Sequence, residues 1–334
     1  MTLTVHLGDR SYDVVVERGC LLRAGELLNL NRKVLVVTDS GVPEEYAKTV
    51  ASQCSEPVIV TFPAGEEHKN VTTWMTLLDA LTEGHFTRSD CVVAVGGGVC
   101  GDMSGFAAAC YLRGIDFYNV PTTLLSQIDS SVGGKVAVDY QGYKNLVGAF
   151  YQPKKVLVDP DVLKTLDRRQ VASGMAEAVK MAMIGDAALF EIFEKGEAYQ
   201  QIETVIYRSL QAKAKVVEQD ETEGGLRRVL NFGHTVGHGI ETACGYTLLH
   251  GECVALGMIP MTAPELRPRL CRVLQSFGLP TEMVGEKEAV ISAMAHDKKR
   301  SGNRVTVVCC PEIGKFSMES IEFETLAQQM REVL

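Results

Sequence analysis

Three of the seven histidines in the chain, His234, His238 and His250, lie close together in its second half. His234 and His238 are four residues apart in a segment whose composition favours a helix, so their imidazoles are expected on one helix face. Two imidazoles at this spacing are typical of a zinc site, and His250 could supply a third nitrogen ligand. The competing interpretation is that all three are core histidines bonded to backbone groups.

A carboxylate from another segment would complete such a site, because catalytic zinc often takes one and keeps a position open for water or substrate. Glu177 is the best candidate, because it lies in a segment of small, apolar residues. The nearest other charged residue of that segment is Lys180, three residues further on. An ion pair of Glu177 and Lys180 on the surface of a helix is the alternative.

A glycine-rich run at residues 96–102 follows an apolar, strand-like segment and opens a helical one. It satisfies G-x-G-x-x-G, a pattern whose glycines let backbone N–H groups approach a pyrophosphate at a helix N-terminus. The run follows the third predicted parallel strand rather than the first, and no acidic strand end lies about 20 residues later. A standard dinucleotide fingerprint is therefore not established, and a turn that merely packs tightly is the alternative.

Hydroxyl groups and lysines accumulate beyond the next predicted strand. Thr122 and Thr123 follow that strand, and Lys135 and Lys144 come in two predicted loops after it. Such groups suit phosphate or ribose binding at the carboxyl ends of parallel strands, although each lysine taken singly is more readily explained as solvated surface. Composition alone also predicts a solvated charge run at residues 297–300 and a charged surface at Lys213, Glu223, Arg227 and Asn231.

The segments that must position these residues change character near Asp167. Before it, apolar β-rich segments alternate with helical stretches, which indicates a parallel sheet covered on both faces. These segments are residues 34–38, 58–62, 91–95 and 116–120. Residues 2–7 and 12–16 predict an antiparallel hairpin at the edge of that sheet.

After Asp167, helical segments dominate and one strand is predicted, at residues 304–308. The helical segments are residues 168–184, 199–219 and 235–244. The predicted fold is therefore α/β plus all-α, with a Rossmann-like parallel-sheet domain at 1–166 and a helical domain at 167–334.

Composition limits the classes of function. A chain of 334 residues suggests about two domains. Its 33 basic and 42 acidic residues give a net charge of −9, which argues against nucleic acid or anionic lipid as a partner and requires local cations for any anionic ligand.

No apolar run approaches the roughly 18 residues of a membrane span, and the first residues do not resemble a signal peptide. With ten cysteines and no C-x-x-C pair, we expect a cytoplasmic protein with reduced, mostly buried thiols.

Eight motifs in order resemble the 3-dehydroquinate synthase family of the shikimate pathway. The resemblance runs from about Val34 to Gly314. It rests on the glycine run ending in Gly101-Asp102, on Tyr111-Leu112-Arg113-Gly114 and Lys144-Asn145, and on residues 121–125, 129–135, 177–180, 231–238 and 250–252.

The resemblance implies an N-terminal NAD-binding domain, a C-terminal domain that binds metal and substrate, and a homodimer. It implies zinc, with cobalt possible, held by Glu177, His234 and His250, and makes His238 a catalytic imidazole rather than a ligand. The NAD-binding residues that it implies are Asp39, Glu66, Lys69, Gly97, Gly98, Val99, Cys100, Gly101, Asp102, Thr122, Thr123 and Thr165, with Asp129, Lys135 and Lys144.

The catalytic and substrate-binding residues implied beside His238 are Asp129, Lys135, Lys144, Asn145, Lys180, Lys213, Glu223, Arg227, Asn231 and one of Lys298 or Lys299. Arg113 is also implied, reaching a phosphate across a dimer interface. The implied reaction converts 3-deoxy-D-arabino-heptulosonate 7-phosphate to 3-dehydroquinate and phosphate. It proceeds by transient oxidation by NAD, β-elimination, re-reduction and intramolecular aldol closure.

Three other functions compete with this one. Another sugar-phosphate cyclase would make an inosose or a valiolone-type product, but the combination of Lys135, Lys144, His238 and Arg227 favours 3-dehydroquinate synthase. A metal-dependent polyol dehydrogenase would need no phosphate-binding lysines. An inactive nucleotide- or metal-binding protein would not need the full set of nucleotide-, metal- and substrate-binding residues. The chain departs from the family at residues 257–264, where two prolines interrupt a segment that is usually longer and helical.

Overall fold

The structure is a computed structural model that describes residues 1–245, 247–283, 286–295, 300–301 and 303–334. It divides the chain into two compact units, Met1–Leu166 and Asp167–Leu334. Lys298 and Lys299, one of which was expected to bind substrate, lie outside the described residues.

The first unit alternates strands and helices. Its strands are β1 (Thr2–Val5), β2 (Tyr12–Val16), β3 (Lys33–Asp39), β4 (Glu56–Phe62), β5 (Cys91–Gly96), β6 (Asp116–Pro121), β7 (Lys135–Tyr140), β8 (Tyr143–Phe150) and β9 (Lys155–Val158). Its α-helices are α1 (Ala24–Leu27), α2 (Glu44–Ala51), α3 (Val71–Glu83) and α4 (Gly98–Cys110).

Seven of these strands form one sheet in the order β1-β2-β9-β6-β5-β3-β4. β1 and β2 pair antiparallel at the edge, and the other neighbours pair parallel, which confirms the predicted sheet and hairpin. The chain runs from β3 to β4 on one side of β3, whereas β5 and β6 lie on the other side. The carboxyl ends of β3 and β5 therefore flank a topological switch point, where open α/β sheets bind ligands.

Packing on the two faces of β3 explains why its middle, Val34–Val37, is apolar. Val34 and Val36 pack into a core that includes Ala47 of α2. Leu35 and Val37 pack into a second core that includes residues of α3 and α4. Since both faces are covered by helices, these four positions do not alternate between apolar and polar residues.

The region after β6 differs from the prediction. Lys135 and Lys144 were expected in loops, but they lie on β7 and β8, which pair antiparallel as a separate two-stranded sheet. All residues of β8 are exposed, so this strand lacks the buried apolar face that reveals strands in a sequence. Asp129 precedes the hairpin in a short π-helical turn, Ser126–Ser130.

The second unit is mainly helical, as predicted. Its helices are α5 (Arg168–Gly185), α6 (Ala187–Glu194), α7 (Ile202–Gln219), α8 (His234–Ala243), α9 (His250–Met258), α10 (Arg267–Ser276), α11 (Lys287–Ala295) and α12 (Phe323–Val333). Its strands β10 (Arg300–Ser301), β11 (Arg304–Glu312) and β12 (Lys315–Glu322) form an antiparallel sheet. Within the described residues no helix has the length and hydropathy that a membrane span requires.

Two glycines of α9 allow close packing against α5 and α8. A Cβ atom on Gly251 would collide with the backbone of Ser173 on α5, and one on Gly257 would collide with the carbonyl of Gly233, directly before α8. Because α9 approaches both helices this closely, the first residues of α8 and α9 come next to the middle of α5. The chain turns after Met258, and α10 begins at Arg267.

Candidate metal and nucleotide sites

Three side chains from three helices of the second unit converge on one point. Glu177 on α5, His234 at the start of α8 and His250 at the start of α9 each offer a ligand atom, and these atoms lie within 4.8 Å of one another. Glu177 Oε1 is 3.6 Å from His234 Nε2 and 3.3 Å from His250 Nε2. One carboxylate and two imidazoles in this arrangement can hold a zinc ion.

The hydrogen bonds of the two histidines define which ring nitrogen is available. His234 Nδ1 is 3.1 Å from the Phe232 carbonyl oxygen, and His250 Nδ1 is 2.6 Å from Glu241 Oε1. A carbonyl and a carboxylate can only accept, so each Nδ1 carries the proton and donates. Each Nε2 therefore faces Glu177, as in metal sites whose ligand histidines are fixed through the other ring nitrogen.

Charge around Glu177 favours its ionised form. Burial alone would raise the pKa of this carboxyl, but Lys180 and the two histidines hold it well below its usual range. Burial and Lys180 hold the pKa of His234 well below its ordinary value, although Glu177 acts in the opposite direction. Burial also lowers the pKa of His250, but its bonds to Glu177 and Glu241 outweigh this and raise the pKa to about 9.

Lys180 is part of this cluster rather than of the surface. Its Nζ is 2.5 Å from Glu177 Oε2, and both side chains are only 1% exposed. The alternative of a surface ion pair on α5 is therefore wrong. The charge of Lys180 compensates that of the buried carboxylate.

His234 and His238, four residues apart on α8, belong to two different groups of potential metal ligands. His234 belongs with Glu177 and His250, whereas His238 belongs to a second group with Glu241 and His250. The ring centroids of His234 and His238 are 5.5 Å apart. Sequence reasoning missed Glu241, although its position three residues after His238 on one helix is a usable signal.

Two charged residues that composition assigned to the surface are buried. Lys213 is 5% exposed and Arg227 is 2% exposed, so the surface prediction is wrong for both. Lys213 shares the buried face of α7 with Ile206, Leu210 and Val217, and this helical spacing was a signal in the sequence.

The loop between α7 and α8 holds the rest of this predicted set. Asp220 accepts hydrogen bonds from the backbone N–H groups of Gly224, Gly225 and Arg227, which lower the pKa of its carboxyl. Asn231 donates to Glu223 over 3.3 Å. These contacts give a defined shape to the segment that precedes the histidines.

In the first unit, the glycine run lies at the topological switch point. Gly97 is the N-cap of α4, directly after β5. A Cβ atom on Gly96 would lie 3.4 Å from Asp39 Oδ2 at the end of β3, and Thr122 N donates to the Gly96 carbonyl. The run thus combines tight packing with a half-buried helix N-terminus, and backbone N–H groups at a helix N-terminus can bind a pyrophosphate.

Buried hydroxyls surround this turn. Ser130 Oγ would contact a Cβ on Gly98 at 3.1 Å, and within the described residues Ser130 Oγ and Ser131 Oγ have no hydrogen-bond partner. Buried polar atoms are rarely left unpaired, so these hydroxyls fit a polar ligand near α4. The hydroxyl of Thr165, another predicted NAD-binding residue, is 2.9 Å from that of Tyr46 on α2.

Lys69 links α4, which carries Asp102, to the β7–β8 hairpin, which carries Asn145. Its buried Nζ is 2.5 Å from both Asp102 Oδ2 and Asn145 Oδ1. Asn145 N donates to Asp139 Oδ1, and Asp139 N donates to the Lys69 carbonyl. Burial lowers the pKa of Lys69, but Asp102 and Glu66 raise it more, so its ammonium remains charged.

Arg113 lies in a turn with an unusual backbone. Leu112 and Arg113 both have positive φ, 51° and 68°, directly after α4. Non-glycine residues adopt this conformation at a cost of order 1–3 kcal/mol each. Both side chains are exposed, so the turn presents the guanidinium at the surface of the unit.

Comparisons with known proteins agree on one family. A model described as 3-dehydroquinate synthase N-terminal matches residues 59–173, and one described as 3-dehydroquinate synthase C-terminal matches residues 174–300. The chain is 40% identical over 344 residues to the 3-dehydroquinate synthase of Streptococcus thermophilus (strain CNRZ 1066), and the match covers 96% of this chain and 97% of that relative.

Solved structures of related cyclases are similar over nearly the whole chain. A 2-deoxy-scyllo-inosose synthase, solved with carbaglucose-6-phosphate, NAD+ and Co2+, matches with a TM-score of 0.92 and 27% identity over 100% of both chains. The 2-epi-5-epi-valiolone synthase from Streptomyces hygroscopicus subsp. jinggangensis 5008, solved with NAD+ and Zn2+, matches with a TM-score of 0.86 and 28% identity over 98% of both chains.

Proposed function

This chain belongs to the 3-dehydroquinate synthase family, and we propose on that premise that it converts 3-deoxy-D-arabino-heptulosonate 7-phosphate to 3-dehydroquinate and phosphate. The enzyme is then a carbon–oxygen lyase that depends on NAD and a divalent metal. The observation that carries this function is the convergence of Glu177, His234 and His250 in a chain 40% identical to such an enzyme over nearly its full length.

Glu177, His234 and His250 are the proposed ligands of zinc, with cobalt as an alternative. Their fit is supported by the two Nε2 atoms that face one buried carboxylate, and by the relatives solved with Zn2+ or Co2+. The metal would supply Lewis acidity that lowers the pKa of a substrate hydroxyl. His238 lies beside this group on α8 and has the proposed role of a proton acceptor and donor.

The proposed NAD site is the topological switch point of the first unit. Backbone N–H groups of Gly97, Gly98 and the residues after them would bind the pyrophosphate, and Asp39 lies at the end of the adjoining strand. The chemistry that NAD would supply is a hydride transfer from the substrate and back within one turnover. Oxidation, β-elimination of phosphate, re-reduction and aldol closure then leave the cofactor unchanged.

Cations from the chain itself are proposed to bind the phosphate and carboxylate of the substrate, because the net charge of −9 gives no general attraction for an anion. Lys180 and Lys213 are buried, and burial strengthens the interaction of a charged group with an anion. The full proposed set is Arg113, Asp129, Lys135, Lys144, Asn145, Lys180, Lys213, Glu223, Arg227, Asn231 and one of Lys298 or Lys299.

The proposal also covers the roles of the two units, the oligomeric state and the cellular location. We assign NAD binding to residues 1–166 and metal and substrate binding to residues 167–334, with further substrate-binding residues between Arg113 and Asn145 in the first range. The proposal includes a homodimer, in which Arg113, held at the surface by its turn, would reach the substrate phosphate bound by the partner subunit. A cytoplasmic location is supported by ten free cysteines, since reduced thiols are typical of that compartment.

A second candidate function is that of an inosose or valiolone-type cyclase, favoured by the similarity to the two solved cyclases. Phosphate release with the purified, zinc-loaded protein and NAD distinguishes the two. We expect release from the heptulosonate phosphate at a rate at least a hundred times (~2.7 kcal/mol in barrier) that with a hexose 6-phosphate, the six-carbon precursor of an inosose, or with a heptulose 7-phosphate, the seven-carbon precursor of a valiolone-type product. Equal rates, or release only from one of these other sugar phosphates, would overturn the proposed substrate.

A further inference from the structure

Glu241 is a buried carboxylate that contacts the candidate metal site. It lies on α8, its residue is 5% exposed, and its Oε1 is 2.6 Å from His250 Nδ1. Burying a carboxylate is unfavourable unless a specific partner compensates for the lost hydration. The contact with His250 therefore points to a defined role for Glu241.

Two roles are compatible with its position. Glu241 belongs to a second group of potential ligands with His238 and His250, so it could bind the metal itself. It could instead fix His250 for a metal bound between His250 and Glu177. The two roles differ in which nitrogen of His250 binds the metal.

The hydrogen bond decides in favour of the second role. Since a carboxylate only accepts, His250 Nδ1 holds a proton and cannot also bind a metal. His250 Nε2 is 3.3 Å from Glu177 Oε1. His234 is arranged in the same way, with Nδ1 at the Phe232 carbonyl and Nε2 toward Glu177.

His250 needs such a partner more than His234 does. Both histidines are the first residue of a helix, but the side chain of His234 is 11% exposed, whereas that of His250 is 35% exposed. Packing alone therefore restricts the His250 ring less. A carboxylate at Nδ1 fixes the tautomer and the orientation of the ring and raises the basicity of Nε2.

We propose that Glu241 is a positioning residue that holds His250 in the tautomer and orientation required for metal binding through Nε2. This inference rests on the proposed metal site. It assigns Glu241 to the ring of His250 and excludes it from the ligands themselves.

Zinc affinity, measured by competition with a chromophoric chelator, tests this role without relying on activity. Glu241→Ala is expected to weaken zinc binding about 10- to 100-fold, as is usual when the hydrogen-bond partner of a ligand histidine is lost. Glu241→Gln retains an oxygen that can accept from Nδ1, so its loss should be at most about tenfold. The visible absorption spectrum of the cobalt-loaded Gln variant should keep the shape of the wild-type spectrum, because the ligands are unchanged.

Glu194→Gln is the matched control. Glu194 also belongs to the second unit and pairs with Arg269 through a 2.7 Å contact, and it is not part of either ligand group. Its substitution removes a paired carboxylate charge without touching His250. Zinc affinity equal to that of the wild type is expected.

Different outcomes would overturn different claims. Wild-type zinc affinity in Glu241→Ala would show that Glu241 does not position His250. Loss of zinc in Glu241→Gln as complete as in Glu177→Ala, with an altered cobalt spectrum, would make Glu241 a ligand. Failure of the wild-type chain to bind zinc would instead refute the metal site of the proposed function. If Glu241→Ala does not fold, the affinity and spectrum of Glu241→Gln still decide.

Discussion

His234 and His238 are one helical turn apart, yet their surroundings differ. His234 donates from Nδ1 to a backbone carbonyl and turns Nε2 toward Glu177. His238 groups with Glu241 and His250. Spacing on a helix therefore identifies residues that share a face, but the ligand set depends on which carboxylate another helix brings to that face.

Removal of single side chains should separate ligands from the acid–base group. Glu177→Ala and His250→Ala are expected to purify depleted of metal, because each removes one of the three proposed ligands. His238→Ala should retain near-stoichiometric metal and turn over about a hundred- to ten-thousandfold more slowly, the usual loss for a positioned acid–base group. Metal analysis of the three purified variants, with turnover measured beside it, is the check.

The opposite pattern would restore the hypothesis that His234 and His238 are the ligand pair. In that case His238→Ala would purify without metal, while His250→Ala would be replete. Circular dichroism of each variant separates a lost ligand from a lost fold.

Charged side chains in the site show where composition misleads. A lysine or arginine is solvated in most proteins, so residue type alone predicted a surface location for Lys213 and Arg227. Both are buried, because their neighbours along the chain direct them inward. For Lys213 the helical spacing of apolar residues on α7 could have shown this, whereas the loop containing Arg227 has no periodicity to use.

The resemblance implies Lys144 for both NAD and substrate, and the proposed function assigns it to the substrate. Lys144→Ala should therefore weaken substrate binding far more than NAD binding. A charge-assisted contact is worth roughly 1.5–3 kcal/mol, or about ten- to a hundredfold in affinity, and Lys144 is assigned to an anion of the substrate. Lys154→Ala is the control, since Lys154 is an exposed lysine of the same unit that lies 3.7 Å from Asp116. Equal losses for substrate and NAD, measured by calorimetry with each ligand, would refute the assignment of Lys144 to the substrate.

Helices and strands were predicted best where burial leaves a recognisable pattern of apolar residues in the sequence. Six of the seven strands of the central sheet were predicted, mostly from apolar runs that are buried in the sheet, and α5, α7 and α8 were visible from composition. The strand β9 of that sheet was missed, and so were β10, the hairpin of β7 and β8, and the strand β12. Every residue of β8 is exposed, and none of β12 is buried, so pairing rather than a core defines these strands.

The packing of α9 against α8 is expected to depend on Gly257. In Gly257→Ala, the new methyl group would meet the Gly233 carbonyl, and overpacking of this kind lowers the free energy of unfolding by about 1–3 kcal/mol. Because α9 positions His250, zinc affinity should fall as well. Urea denaturation and chelator competition measure the two effects.

Gly185→Ala on α5 is the matched control for Gly257→Ala. A Cβ atom on Gly185 would lie 3.8 Å from Ala212, which is ordinary contact, and alanine favours helix over glycine. Stability should be unchanged or higher. Equal behaviour of the two variants would show that the close approach of α9 is not needed.

The whole molecule combines an acidic net charge with local cations and two sets of site residues. The family and the fold followed from motifs and hydropathy, because eight motifs in one order cannot arise from packing alone. Residues such as Glu241 and Asp139 emerged from the structure, since their roles depend on contacts between segments distant in sequence. The central claim is that NAD is used and restored within each turnover.

Simultaneous measurement of free phosphate and NADH tests this claim most directly. The zinc-loaded protein is mixed with NAD and the heptulosonate phosphate, and phosphate release and NADH absorbance are followed together. We expect many equivalents of phosphate per enzyme, with NADH never exceeding one equivalent per site, and loss of release when a chelator removes the metal. Accumulation of NADH in proportion to substrate consumed, without phosphate, would contradict the account and indicate a dehydrogenase.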